Sequence, residues 1–147
     1  METEIKNLVI DETYSGLIDA GWCFKLQANL EVTGSLTVNL KRWLIVSGHI
    51  EAGGGIKAGW GIKAGEGIKA GWGIEAGEGI EAGEGIEAGF SIHCILSLKA
   101  KLRIFAGLCI WRLPRPEEQE IVCADLKSGT VAFGTLKLIE APKKEGK

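Results

Sequence analysis

Residues 53–90 repeat one hexapeptide almost without change, from Gly-Ile-Lys-Ala-Gly-Trp through Gly-Ile-Lys-Ala-Gly-Glu to Gly-Ile-Glu-Ala-Gly-Phe. The repeat is the clearest part of a longer array. Leu26, Val32, Val38, Leu44, Ile50, Ile56, Ile62, Ile68, Ile74, Ile80, Ile86, Ile92, Leu98, Ile104 and Ile110 are fifteen consecutive sixth positions, and all are aliphatic. A solvated glycine-rich linker has no need of such a column. Units that each expose an apolar face stack so that neighbours bury it.

Two residues after each aliphatic comes a second column that is mostly small, with Ala at 52, 58, 64, 70, 76, 82 and 88, then Cys94, Ala100 and Ala106. Positions i and i+2 share one face of a strand. Two residues further on stand Trp60, Glu66, Trp72, Glu78, Glu84 and Phe90. In a flat strand these too would face inward and would bury carboxylates without partners, at a high desolvation cost. The chain must therefore turn between each Ala and the next Ile. The variable positions from Trp60 to Glu84 have a glycine on both sides, and glycine permits the dihedrals that a tight corner needs.

The charges set the number of sides. The residue after each aliphatic should face solvent, and this column contains Glu51, Lys57, Lys63, Lys69, Glu75, Glu81, Glu87, His93 and Lys99. At a separation of 18, Glu51/Lys69, Lys57/Glu75, Lys63/Glu81, Lys69/Glu87 and Glu81/Lys99 are all opposite in sign. At 12, Lys57/Lys69 and Glu75/Glu87 are alike. Like charges directly opposite on adjacent strands are destabilising. The spacing predicts an all-β domain: a short parallel β-helix of about five triangular 18-residue coils, stacked about 4.8 Å apart. Residues 26–115 would form the array. Residues 1–25 and 116–147 would cap its ends, which otherwise expose unpaired edges. Pro114 and Pro116 close the periodic run, after which Ile121, Leu126, Val131 and Leu136 recur every five residues as a final strand or a tighter coil. The tail from Pro142 to Lys147 should be mobile.

A chain of 147 residues with net charge −2 has no basic footprint for nucleic acid. The acidic N-terminus is not followed by a long apolar run, so no signal peptide or membrane span is expected. Cys23, Cys94, Cys109 and Cys123 form no CxxC pair and read as reduced thiols of a cytoplasmic protein.

An aliphatic at every sixth position over 18-residue coils resembles the hexapeptide parallel β-helices. Residues 36–53, Leu-Thr-Val-Asn-Leu-Lys-Arg-Trp-Leu-Ile-Val-Ser-Gly-His-Ile-Glu-Ala-Gly, are similar to bactofilin-type β-helices. The Gly-x-Ile-Glu-Ala-Gly runs look like those of short phage and prophage proteins. The last resemblance implies a phage-encoded inhibitor of a host defence protein, such as an anti-CRISPR. The second implies a self-assembling scaffold, and the hexapeptide pattern in general a trimeric acyltransferase. In the left-handed acyltransferases the small residue precedes the aliphatic by two positions, whereas here Ala follows it, so handedness stays open.

The residues themselves offer little chemistry. His49 and His93 lie 44 apart and do not stack at 18, and His93 falls beneath Glu75 where a surface pair accounts for it. No Cys or His has metal-ligand spacing, and Gly53-Gly54-Gly55 lacks the context of a phosphate loop. The expectation is a non-enzyme without metal or cofactor, whose partner is another protein, a bacterial defence effector if the phage resemblance holds. Neither a nucleic acid nor a membrane is expected as partner, and homo-oligomerisation is left open. The corners carry the candidate contacts. At 18-residue spacing Gly54, Trp72, Phe90 and Leu108 form one ridge, Gly48, Glu66, Glu84 and Leu102 a second, and Arg42, Trp60, Glu78 and Leu96 a third. Aromatics exposed in a row suit a binding surface, unless Trp72, Phe90 and Leu108 lie under a folded-back terminal segment.

Overall fold

An isoleucine and an alanine two residues apart point to the same side of a strand, and a three-residue Ile-x-Ala strand can bury both against the coils above and below. The computed structural model describes residues 6–110 and 112–140 and shows this element repeated along the chain. The early strands are β1 (Leu8–Ile10), β2 (Ile18–Asp19), β3 (Cys23–Leu26), β4 (Leu30–Val32), β5 (Leu36–Val38) and β6 (Trp43–Val46). The hexads supply β7 (Ile50–Ala52), β8 (Ile56–Ala58), β9 (Ile62–Ala64), β10 (Ile68–Ala70), β11 (Ile74–Ala76), β12 (Ile80–Ala82), β13 (Ile86–Ala88) and β14 (Ile92–Cys94). A long β15 (Ser97–Ala106), a short 3-10 turn at Pro116–Gln119, and β16 (Glu120–Cys123), β17 (Asp125–Phe133) and β18 (Thr135–Leu138) complete the chain.

Apart from β2, which pairs antiparallel with β3, the strands stack in parallel on three faces. One face is the sheet β1-β5-β8-β11-β14-β16-β18. The other two are β3-β6-β9-β12 and β4-β7-β10-β13, joined where β15 rounds a corner and pairs with β12 through Leu98–Ala100 and with β13 through Ile104–Ala106. The molecule is an all-β parallel solenoid of about six turns. Ile50 lies on Ile68 and Ile68 on Ile86, so the central coil is 18 residues, as the charges require. The outward partners are Glu51/Lys69/Glu87, Lys57/Glu75 and Lys63/Glu81/Lys99. In the last column Glu81 lies 3.9 Å from Lys63 and 3.4 Å from Lys99. Such exposed pairs contribute little stability, so their importance is in excluding other registers.

The interior is two stacked columns. Ile50, Ile56, Ile62, Ile68, Ile74, Ile80, Ile86 and Ile92 are all buried, as are the alanines that follow the first seven and Cys94 after the last. Burying one such isoleucine is worth about 1.5–3 kcal/mol relative to leaving it in water.

The first coil departs from the hexad register. Phe24 pairs with Leu44, Leu30 with Ile50 and Leu36 with Ile56, a separation of 20. Two extra residues sit at the corner between β5 and β6, where Leu40 turns inward and is buried. As a result Leu26, Val32 and Val38 stand opposite Val46, Ala52 and Ala58, in the second column instead of the isoleucine column. At the other end Ile110 is exposed, so the core column of hexads stops at Ile104. The last turn is the tighter coil: Ile121 pairs with both Ile92 and Leu136, while Leu126 pairs with Leu98 and Val131 with Ile104. The flanks thus supply strands that extend the stack. The segment from Pro142 onward lies outside the described residues.

The glycines work differently from the expectation. Positive φ occurs at Gly16, Gly21, Gly107, Gly129 and Gly134, and at no glycine of the near-identical hexads between Gly53 and Gly89. What the hexad corner requires is clearance. A Cβ on Gly65, Gly71, Gly77, Gly83 or Gly89 would fall closer than 3.0 Å to the carbonyl oxygen of the residue 18 positions earlier. The five-residue sides of the last turn use left-handed glycines instead, at Gly129 and Gly134 with φ of 112°.

This distinction is measurable. Gly77→Ala drives a methyl into the Gly59 carbonyl and should destabilise the fold by about 1–3 kcal/mol. Gly67→Ala has its nearest neighbour, the Gly85 oxygen, at 3.5 Å, and should change stability by less than about 0.5 kcal/mol. Equilibrium urea unfolding of the two variants checks this; equal losses would contradict the clearance account.

Candidate protein-binding surface

Along each ridge, corner amides donate to the corner carbonyl 18 residues earlier. On the first ridge the Trp72 amide donates to the Gly54 carbonyl at 3.2 Å and the Phe90 amide to Trp72 at 3.3 Å. On the second, Glu66 donates to Gly48 and Glu84 to Glu66, each at 3.1 Å. On the third, Glu78 donates to Trp60 at 3.3 Å. The six candidate residues thus fall in three pairs on three separate edges: Trp72 with Phe90, Glu66 with Glu84, and Trp60 with Glu78.

Their surroundings differ. Trp72 is 53% exposed and Trp60 41%, so both indoles meet solvent. Phe90 is half-buried, with the Arg112 guanidinium 4.6 Å from its ring centre. Arg112 is in turn fixed by a two-point bond to Glu118, at 2.9 and 2.7 Å. The first ridge is therefore open at Trp72 and covered at Phe90 by the segment that follows the array. Leu108 is half-buried beside it. Glu66 and Glu84 are exposed, whereas Glu78 is half-buried and accepts a hydrogen bond from the Trp43 indole nitrogen at 3.2 Å.

Trp43 is a residue the hexad pattern passes over. It stands one place before Leu44, where later coils have Gly61 and Gly79, and a Cβ at either glycine would run into its ring. A tryptophan aligned with glycines was the available signal. Beside it, Arg42 precedes Trp60 by one coil. Arg42 bonds Asp19 and the Gly21 carbonyl, each at 2.7 Å, and lies 4.1 Å from the centre of the Phe24 ring. The same turn presents Trp22, 67% exposed.

The histidines sit on different faces. His93 on β14 lies beside Glu75, as its position in the column implies. His49, at the start of the coil that contains β7, has Nε2 2.7 Å from Glu31 and Nδ1 3.6 Å from Glu66. Hydrogen bonding to Glu31, and less so the charges of Glu31 and Glu66, holds its pKa above the ordinary value. Cys94 and Cys123 are buried neighbours on β14 and β16, and burial pushes the Cys94 thiol up to about 12. That thiol is a core side chain and not a nucleophile.

Compared with family models, curated proteins and solved structures, the chain gives no match. No helix among the described residues is long and apolar enough to cross a membrane.

The clasp over Phe90 is acid-sensitive. Glu118 is lowered from 4.5 to about 2, first by its hydrogen bond to Arg112 and then by the Arg115 amide. A depressed folded-state pKa means that the stabilisation is complete above pH 4.5, declines as the pH falls below it, and is gone once Glu118 is protonated near pH 2. NMR titration of the Glu118 carboxyl should give a midpoint near 2 and loss of the Arg112–Phe90 contact in the same step. A midpoint at the ordinary value would show that the clasp is not formed.

Proposed function

We propose that the protein is a non-catalytic binding protein: a rigid β-solenoid that presents its corner residues to a protein partner. The observation that carries this reading is the exposure of Trp72 and Trp60, each on a corner whose neighbouring positions the stack requires to be small. A solvated corner needs no indole, and the chain's own C-terminal segment covers Phe90 while leaving Trp72 free. Tryptophan held on a rigid frame loses little conformational entropy on binding and is over-represented among interface hot spots. Glu66 and Glu84 provide an acidic edge beside it. The likeness of the hexads to phage and prophage repeats directs the choice of partner toward a bacterial defence effector, which would make the protein an inhibitor of the anti-CRISPR kind.

A second reading is a self-assembling scaffold, and one observation favours it. Leu136 and Leu138 continue the stack at its C-terminal end and are 37% and 60% exposed, so that end has an apolar rim on which another chain could pair.

The two readings separate by experiment. Trp72→Glu should leave the circular dichroism spectrum and melting temperature unchanged and lower partner capture from host lysate at least tenfold. Capture that survives this change would contradict the corner reading. Sedimentation velocity should show discrete species for the inhibitor; a polydisperse ladder removed by Leu138→Lys would favour the scaffold.

A further inference from the structure

The alternation of charge along the central coils fails at one place among the described strands. The registered pairs Glu51/Lys69, Lys69/Glu87, Lys57/Glu75, Lys63/Glu81 and Glu81/Lys99 are opposite in sign, whereas Glu31 on β4 and Glu51 on β7 are carboxylates directly opposed. Side chains so paired repel unless a cation lies between them. The two-residue insertion in the first coil creates this pairing, since an 18-residue register would have set Thr33 against Glu51.

The same displacement brings in a nitrogen donor. One ligating atom each from Glu31, His49 and Glu51 lie within 4.8 Å of one another. The imidazole is placed by backbone: the His49 amide donates to Asn29 Oδ1 at 3.1 Å, and the His49 carbonyl accepts from the Leu30 amide at 2.9 Å. Its two ring nitrogens have different neighbours, with Nε2 toward Glu31 and Nδ1 toward Glu66. A carboxylate on the second nitrogen is how metal-bound histidines are commonly oriented. The cluster opens on a groove of about 360 Å³ whose rim adds Glu84, Glu87 and a single cation, Lys69.

We propose that Glu31, His49 and Glu51 form a binding site for a divalent transition-metal ion of the Zn²⁺ class, with Glu66 as the residue that orients His49. One imidazole nitrogen and two carboxylate oxygens are a donor set suited to such ions, and three protein ligands leave a fourth position open to water or to a group from a partner. Donor atoms around a tetrahedral ion stand about 3.4 Å apart, so Glu31 must draw back from the 2.7 Å hydrogen bond it makes with His49 Nε2 while the wider spacings, up to 4.8 Å, close; the exposed carboxylates of Glu31 and Glu51 have the freedom to do so. The bound ion would cancel the one like-charged pair in the register and tie the irregular first coil to the regular array.

The test is calorimetry of the full chain, stripped of metal, titrated with ZnCl₂ at pH 7.5, with Co²⁺ absorption as a second readout. The expected result is saturable one-to-one binding that raises the melting temperature. His49→Gln and Glu51→Gln should each weaken it at least tenfold, Glu66→Gln about tenfold through orientation, and His93→Gln not at all. All are surface changes, and unchanged melting temperatures without metal confirm folding; if one variant fails to fold, the other ligand variant decides. Absence of saturable binding, or binding that survives both ligand changes, would overturn the assignment and leave His49 as the imidazolium partner of Glu31.

Discussion

At each corner of the solenoid the backbone of one coil passes so close to the next that a carbonyl oxygen occupies the space a Cβ would need. The glycine after each alanine is there for that reason: Gly65 passes over Ser47, Gly71 over Gly53, Gly77 over Gly59. The close approach lets the corner amides, such as Trp72 to Gly54 and Glu84 to Glu66, reach the carbonyls beneath them. With the corners fixed, each Ile-x-Ala strand lies on its counterpart 18 residues away. The buried columns of isoleucine and alanine then follow as a consequence of stacking.

The same constraint decides where variation is free. Inward positions must be aliphatic or small, and the glycine positions must stay bare. The outward residue of each strand is limited by the sign of its neighbour above and below. The corner residue after each of these glycines is limited by nothing in the stack, and there the chain places Trp60, Glu66, Trp72, Glu78, Glu84 and Phe90. The structure divides them. Phe90 and Glu78 are used internally, by Arg112 and by Trp43. Glu66 faces His49, and Trp60, Trp72 and Glu84 remain available.

Much of this was legible in the residues. The Ile and Ala columns, the three-sided coil and the 18-residue register can be read from periodicity and from the signs of Lys57, Lys63, Glu75 and Glu81. The ends were less legible, because hexad spacing is a property of the regular coil alone. An eight-residue step from Leu36 to Leu44 shifts Leu26, Val32 and Val38 into the second column without breaking the count of six, since aliphatics stand at both positions. Ile110 fits the count and yet lies outside the stack, because β15 ends at Ala106. The role of the hexad glycines is not legible for a related reason: conformational freedom is visible in a single residue, whereas clearance exists only between coils. Of the surface, the stacking of corners was legible. The cover over Phe90, the Trp43 bond to Glu78 and the meeting of Glu31 with His49 all depend on segments outside the regular repeat.

The central claim is the register, and amide–amide nuclear Overhauser contacts test it most directly. The account predicts cross-strand contacts between residues 18 apart through the hexads, as between Lys63 and Glu81, changing to 20 apart in the first coil, as between Glu31 and Glu51. Contacts at 12 or 24, or a uniform 18 that includes the first coil, would contradict it.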